Sequence, residues 1–323
     1  MRIAVLGGTE FIGRRIVHEL AARGDEVLVI HRGRHEPDGE SPSRHLHVDR
    51  QAFATVAEQV HAFQPDAFVD TRALSLADVR AVLPHLPDCQ LITLSSMDVY
   101  RAYERLHAGG ESEPLPLHEG SRLREHRHPY RGKIPGLEDY EKLEVEPEVL
   151  ARGGTVLRLG MVYGEHDTQR REEFVLRRVR AGRERIPVGP GNWLWTRVYV
   201  GDVAGAVLAT LGSSAVAGEV FNIGEPETRG FGGWVRQILA AAGHHAELVE
   251  VPEELLPEDL VFTKAMRQHM LVCSAKARRL LGWCCADPDD SLARSVAWHL
   301  RHAPEDGTDD FSADDRALAV AGR

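Results

Sequence analysis

Residues 3–13 read Ile3-Ala4-Val5-Leu6-Gly7-Gly8-Thr9-Glu10-Phe11-Ile12-Gly13, and this stretch decides the fold. The apolar run Ile3–Leu6 predicts a buried strand. Gly7 lets the chain turn sharply out of it, and Gly13 lets the next helix pack close to the sheet. That helix, about Phe11 to Arg23, carries Ile12, Ile16 and Leu20 on one face and stops at Gly24. A second strand, Glu26 to Ile30, arrives where a βαβ unit requires it. A helix N-terminus behind such a turn offers free backbone N–H groups and the positive end of a dipole, the geometry that cradles a pyrophosphate. A three-glycine fingerprint would set its middle glycine at position 10, where this chain has Glu10. Its carboxylate is expected to swing to solvent or to cap the helix.

Working outward, apolar strands over Val27–Ile30, His45–Val48, Ala67–Asp70, Leu91–Ser95 and Thr155–Leu159 alternate with helical patterns over Gln51–Phe63, Leu76–Leu83 and Leu137–Arg152. Alternation of this kind predicts an α/β fold with a doubly wound parallel sheet, whose ligands lie at the carboxyl ends of the strands. The glycine turn, His31-Arg32-Gly33-Arg34, Asp49-Arg50, Thr71-Arg72-Ala73 and Ser95-Ser96 all fall at those ends. Between Ala102 and Gly136 the chain reads as a proline-rich loop that covers the strand ends. The expected division is a dinucleotide-binding Rossmann domain over 1–165, with 199–222 returning to it. A smaller α/β substrate domain takes 166–198 and 223–303, and an acidic tail runs over 304–323.

The 323 residues suffice for one or two domains, and 39 Lys+Arg against 49 Asp+Glu give a net charge of −10. That balance repels nucleic acid and anionic membrane, so neither is an expected partner. No run of about 18 apolar residues is present and the chain opens on a strand, so a cytoplasmic location is expected. Four cysteines without metal spacing read as reduced thiols. Among 17 histidines, His126-Arg-His128 and His244-His245 lack ligand spacing on a helix face, so no metal is expected.

Six blocks carry a resemblance: residues 7–13; Ser-Ser-Met-Asp-Val-Tyr (95–100); Leu-Arg-Leu-Gly-Met-Val-Tyr-Gly (157–164); Val-Tyr-Val-Gly-Asp-Val-Ala (198–204); Phe-Asn-Ile-Gly (221–224); and Ser-Ala-Lys-Ala-Arg-Arg-Leu-Leu-Gly-Trp (274–283). The chain to about residue 303 resembles the extended short-chain dehydrogenase/reductases, the NAD-dependent epimerase/dehydratase family. Without the middle glycine it is similar to an atypical branch that includes chloroplast stem-loop RNA-binding proteins. The resemblance implies an NAD(P)-dependent epimerase or reductase acting by hydride transfer on a sugar nucleotide or related hydroxylated metabolite, and it allows a homodimer. A cofactor-binding scaffold or RNA-binding protein without turnover is the alternative. The cofactor contacts it implies are Gly7, Thr9, Glu10, Phe11, Ile12, Gly13, Arg32, Arg34, Asp49, Arg50, Thr71, Arg72, Ala73 and Lys142. With Arg32 and Arg34 after the second strand and no acid there, NADP is favoured slightly over NAD.

Members of that family use a serine and a Tyr-x-x-x-Lys pair. Ser96 and Lys142 match, but the tyrosine position holds Glu138. Three readings stay open: Glu138 is a substitute base; Tyr130 or Tyr140 reaches the site from a remodelled backbone; or the hydride machinery is lost. On a continuous helix Tyr140 would sit roughly 200° from Lys142, away from the usual tyrosine's place. Asp98 keeps one acid of the pair that dehydratases carry, while Met97 replaces the other, which favours epimerisation or redox over elimination. On the substrate side the expected residues are Met161, Trp195, Arg197 and Arg267. Trp195 stands where sugar-nucleotide members place an arginine, and period-two alternation lets Arg197 substitute for it.

Overall fold

The computed structural model describes residues 1–34, 43–108, 110–305 and 310–321. Seven strands make one parallel sheet: β1 (Arg2–Leu6), β2 (Glu26–His31), β3 (Arg44–His47), β4 (Ala67–Asp70), β5 (Gln90–Ser96), β6 (Thr155–Leu159) and β10 (Val220–Ile223), in the order β10-β6-β5-β4-β1-β2-β3. The central strands are buried on both faces, as parallel strands covered by helices must be. Alternation then divides them. Ile3 and Val5 join one apolar layer with Ile16 and Leu20, and Ala4 and Leu6 join the other with Phe53, Val60 and Val79.

The helices follow from local rules. In α1 (Phe11–Ala22), Gly13, Ile16 and Leu20 are the buried face. A 3-10 stretch (Arg50–Val56) runs into α2 (Ala57–Phe63). Helix α3 (Leu76–Arg80) opens on a capping box between Ser75 and Asp78. The segment expected to be loop from Ala102 carries helix α4 (Arg101–Ala108).

Helix α5 (Lys142–Ala151) starts five residues later than the periodicity predicts. Its cap decides this: the Glu141 carboxylate accepts from Leu143 N at 3.0 Å while a buried Arg124 holds it by two bonds of 2.6 and 2.9 Å. Residues 137–141 are therefore not helical.

The second half contains β7 (Met161–Tyr163) paired with β9 (Arg197–Tyr199), and β8 (Arg185–Val188) paired with β11 (Glu247–Glu250). Around them lie α6 (Glu173–Arg180), α7 (Val200–Thr210), α8 (Phe231–Ala241), α9 (Ala275–Leu281) and α10 (Pro288–Arg301). The segment read as a tail carries α11 (Ser312–Ala321), pinned by the fully buried Arg178, which bonds Asp314 at 2.7 and 2.8 Å and Asp259 at 2.8 and 3.0 Å. All four cysteines are free. No helix among the described residues is long and apolar enough to cross a membrane.

Candidate active site

A cleft of about 870 Å3 opens along the carboxyl ends of the strands, from the glycine turn to the second half of the chain. At its floor Gly7 has φ +91°, and Thr71 Oγ1 donates to the carbonyls of Leu6 and Gly7 at 2.9 and 3.0 Å. A Cβ on Gly13 would stand 1.9 Å from the Gly7 carbonyl oxygen, so only glycine admits this contact between turn and helix. Thr9, Glu10, Phe11, Ile12 and Gly13 all line the cleft. Glu10 is the N-cap residue by backbone geometry, but its side chain makes no capping bond and is exposed. The glycine turn and the helix end behind it thus fit a pyrophosphate, and the Glu10 carboxylate does not occupy the helix's free N–H groups.

Arg32, Arg34, Asp49, Arg50 and Arg72 line the wall beyond. Asp49 caps the 3-10 stretch through Gln51 N, and Arg50 grips Asp70 at 2.6 and 2.7 Å. Ala73 is buried behind the wall, where its carbonyl serves Lys142.

In the middle, the structure brings Ser96, Asp98, Tyr130, Tyr140 and Lys142 together. Both tyrosine hydroxyls donate to Asp98 Oδ2 at 2.8 Å. Asp98 Oδ1 is buried and has no hydrogen-bond partner. Burial pushes the Asp98 carboxyl up, and the Tyr140 and Tyr130 hydroxyls with the Arg124 and Lys142 charges pull against it. Burial likewise holds Tyr140 well above the usual tyrosine range. Lys142 Nζ donates to Ala73 O at 2.6 Å and Leu94 O at 2.9 Å, and burial pushes its ammonium down to about 8. Ser96 Oγ accepts from Asp98 N at 3.2 Å.

Glu138 is not part of this cluster. Its side chain is exposed outside the cleft and accepts from Gly136 N at 3.1 Å. The expectation that Tyr140 turns away is also corrected: it assumed a helix through residue 140, and the chain there is a loop that swings the ring inward.

The far end of the cleft is lined by Tyr103, Met161, Thr168, Gln169, Arg171, Trp195 and Phe262. Arg197 does not reach it. Its guanidinium is buried over the Trp234 ring, 4.8 Å from the centroid, and donates to Arg229 O at 2.9 Å. Arg267 is exposed elsewhere, where its carbonyl accepts from Ser112. The cation lining this far end is Arg171, which the sequence does not single out. Its Nε is buried without a hydrogen-bond partner, and burial lowers its pKa. No pattern in the sequence separates it from its neighbours; only the fold aims it.

Sequence reading also missed His31, His45 and His47, one ligand atom from each lying within 4.8 Å of the others. The signal is the strand spacing His45-x-His47, which a helix-face rule does not register.

The chain belongs to the NAD dependent epimerase/dehydratase family, whose model matches residues 3–85 and 143–224. The match leaves out residues 86–142, which hold Ser96, Asp98, Tyr130, Tyr140 and Lys142. The fold defines a Rossmann-like enzyme of that family. The chain is 27% identical over 307 residues, 87% of its length and 74% of the relative's, to the chloroplast stem-loop binding protein of 41 kDa b from Arabidopsis thaliana. Among solved structures it resembles UDP-glucose 4-epimerase from Thermotoga maritima (TM-score 0.69, 19% identity, 94% of this chain and 100% of that one). It also resembles dTDP-glucose 4,6-dehydratase from Bacillus anthracis in complex with NAD (TM-score 0.69, 18% identity, 94% and 97%). At these identities the structures speak for the fold.

Proposed function

We propose that the chain is an epimerase or reductase that passes hydride between a nicotinamide cofactor and a carbinol of a nucleotide sugar or related hydroxylated metabolite. One observation carries this reading: two tyrosine hydroxyls converge on the buried Asp98 carboxylate beside Lys142, in a cleft that begins at the glycine turn. A bound nicotinamide supplies the hydride acceptor. The rest is proton traffic. The substrate hydroxyl gives its proton to Tyr140 Oη while the Tyr140 proton passes to Asp98 Oδ2, leaving a ketone on the substrate. A tyrosine with a raised pKa is a poor base alone, so the carboxylate behind it takes the proton and the hydroxyl relays it. Ser96 Oγ holds the reacting oxygen.

Lys142 has three N–H donors and spends two on backbone carbonyls, which leaves one for the nicotinamide ribose. The ketone acidifies the neighbouring carbon and permits inversion. Met97 offers no second acid, so elimination is disfavoured. Arg171 suits the substrate's diphosphate, because its buried Nε has no hydrogen-bond partner and an anion would supply one. Arg32 and Arg34 suit a 2′-phosphate and favour NADP.

The test is incubation of the enzyme and its cofactor with UDP-, dTDP- and GDP-sugars, followed by NMR of the sugar. Epimer or ketone from the wild type and none from Asp98→Asn supports the reading. No conversion of any sugar despite bound cofactor overturns the nucleotide-sugar assignment.

The Arabidopsis relative's name favours a second reading, RNA binding without turnover. Against it, much of the basic run over 170–185 is engaged internally: Arg177 and Arg178 pair with Asp259, Arg180 with Glu173 and Arg183 with Asp315.

A further inference from the structure

Three histidines meet at the far edge of the sheet. In the parallel register of β2 and β3, His31 lies beside His47 and Val29 beside His45. Alternation places His45 and His47 on one face of β3, and His31 on the same face of β2. The His31 ring stands edge-on to those of His45 and His47, with centroids 5.0 and 4.7 Å apart. His31 Nε2 and His45 Nδ1 are 2.8 Å apart. The trio grades from buried His31 through half-buried His45 to exposed His47, so it is open to solvent on one side. Gly33, at φ +71°, lets the turn after β2 fold over it: a Cβ there would stand 3.3 Å from His47 Cγ. The Gly33 amide donates to His31 Nδ1 at 3.2 Å.

We propose that His31, His45 and His47 form a binding site for a divalent transition metal, zinc in the first instance. Imidazole nitrogens suit zinc, nickel and copper, while magnesium and calcium prefer oxygen. Three protein nitrogens with a fourth position left to water or a ligand oxygen is a common open zinc geometry. Two imidazoles at a zinc–nitrogen distance of about 2.0–2.1 Å on a tetrahedron have nitrogens about 3.3 Å apart. The 2.8 Å contact therefore opens by about half an ångström, and the other nitrogens, already within 4.8 Å, close by rotation of the exposed His47 ring.

The protons balance. An amide can only donate, so Gly33 leaves a lone pair on His31 Nδ1, and the neutral ring's proton sits on Nε2 facing His45. Loading through Nε2 costs both of these bonds: the ring proton moves to Nδ1, so His31 no longer donates to His45 and the Gly33 amide loses its acceptor. Nothing is oxidised or reduced. Because imidazole binds a metal only in its neutral form, zinc and protons compete for the site.

The site is separate from the Asp98 cluster. β2 lies three strands from β5, about 14 Å at the usual strand spacing. His31, Arg32 and Arg34 nevertheless line the same cleft, at the end where a dinucleotide's adenosine would lie.

The test uses the full chain, stripped with chelator and without cofactor, so its outcome does not depend on the enzymatic reading. Calorimetry with zinc chloride is expected to give one site per chain, with no heat from magnesium. Cobalt is expected to give the visible bands of a tetrahedral nitrogen–oxygen site. His45→Asn and His47→Asn each weaken zinc binding by about tenfold or more, while His18→Asn, at an exposed position, leaves it unchanged. X-ray absorption on the zinc-loaded wild type reports three imidazoles and needs no variant to fold. No stoichiometric zinc binding, binding that survives the His45→Asn/His47→Asn pair, or sulfur in the zinc shell overturns the proposal.

Discussion

Replacing Tyr130 or Tyr140 by phenylalanine removes one of the two hydroxyls that donate to Asp98 Oδ2, each at 2.8 Å. A hydrogen bond to a charged group is worth about 1.5–3 kcal/mol, and about 1.4 kcal/mol corresponds to one pKa unit. Each loss therefore raises the Asp98 carboxyl by about 1–2 units beyond the rise that burial already imposes. Asp98 must be ionised to receive the relayed proton, so a higher pKa moves the acidic limb of the rate profile to higher pH. In Tyr130→Phe that limb moves up by about 1–2 units with turnover recovered on its alkaline side. The basic limb stays where Lys142 loses its proton, about 8. In Tyr140→Phe the relay itself is gone, and turnover falls by about 10²–10⁴ at every pH.

Carbon NMR of carboxyl-labelled aspartate follows Asp98 directly and needs no substrate. The raised carboxyl also has a stability signature: its contribution is complete below the ordinary aspartate value and is lost as pH rises through the folded value. A Tyr140→Phe enzyme within a few-fold of wild type, or an Asp98 titration unmoved in Tyr130→Phe, refutes the relay.

Four further outcomes follow from the geometry. Gly13→Ala sets a methyl against the Gly7 carbonyl and abolishes dinucleotide binding by calorimetry; retained affinity contradicts the cradle. Arg32→Ala lowers NADP affinity and leaves NAD affinity nearly unchanged in the same titration, and equal losses contradict the 2′-phosphate role. Glu172, fully buried and pushed up to about 7, stabilises the fold in acid, and that contribution is lost as pH rises from about 4.5 to 7. Glu172→Gln keeps a partner for the Ser295 hydroxyl, so it melts above wild type at about pH 8 and level with it in acid; a lower melting point at about pH 8 contradicts this. Filter binding with structured RNA at about 150 mM salt shows no submicromolar affinity, whereas tight binding with a steep salt slope promotes the second reading.

What was legible in the sequence is what neighbours along the chain determine. The β1-turn-α1 unit and the apolar parallel strands are local patterns, and the register they impose delivers the strand-end residues to one cleft. The failures lie where a distant contact decides. Glu141 starts α5 because Arg124, 17 residues away, holds its carboxylate, and that late start is what turns Tyr140 inward. Arg197 misses the cleft because the Trp234 ring, distant in sequence, claims its guanidinium. α11 is held by Arg178 reaching across 136 residues to Asp314. Helix α4 is short and charged, and its sequence reads as loop. The histidine trio needed the β2–β3 register, which no single-strand pattern contains.

The proposed mechanism requires Tyr140, backed by Asp98, to face the reacting carbon. A crystal structure with a bound nicotinamide dinucleotide and a nucleotide sugar tests it most directly. The proposed mechanism predicts the pyrophosphate on the Gly7–Gly13 turn and Lys142 Nζ on the nicotinamide ribose. It also predicts the Tyr140 hydroxyl turned toward nicotinamide C4, with the reacting sugar oxygen within about 3–4 Å of it. A nicotinamide ring lying away from Tyr140, or a dinucleotide bound with that hydroxyl walled off from it, contradicts the claim.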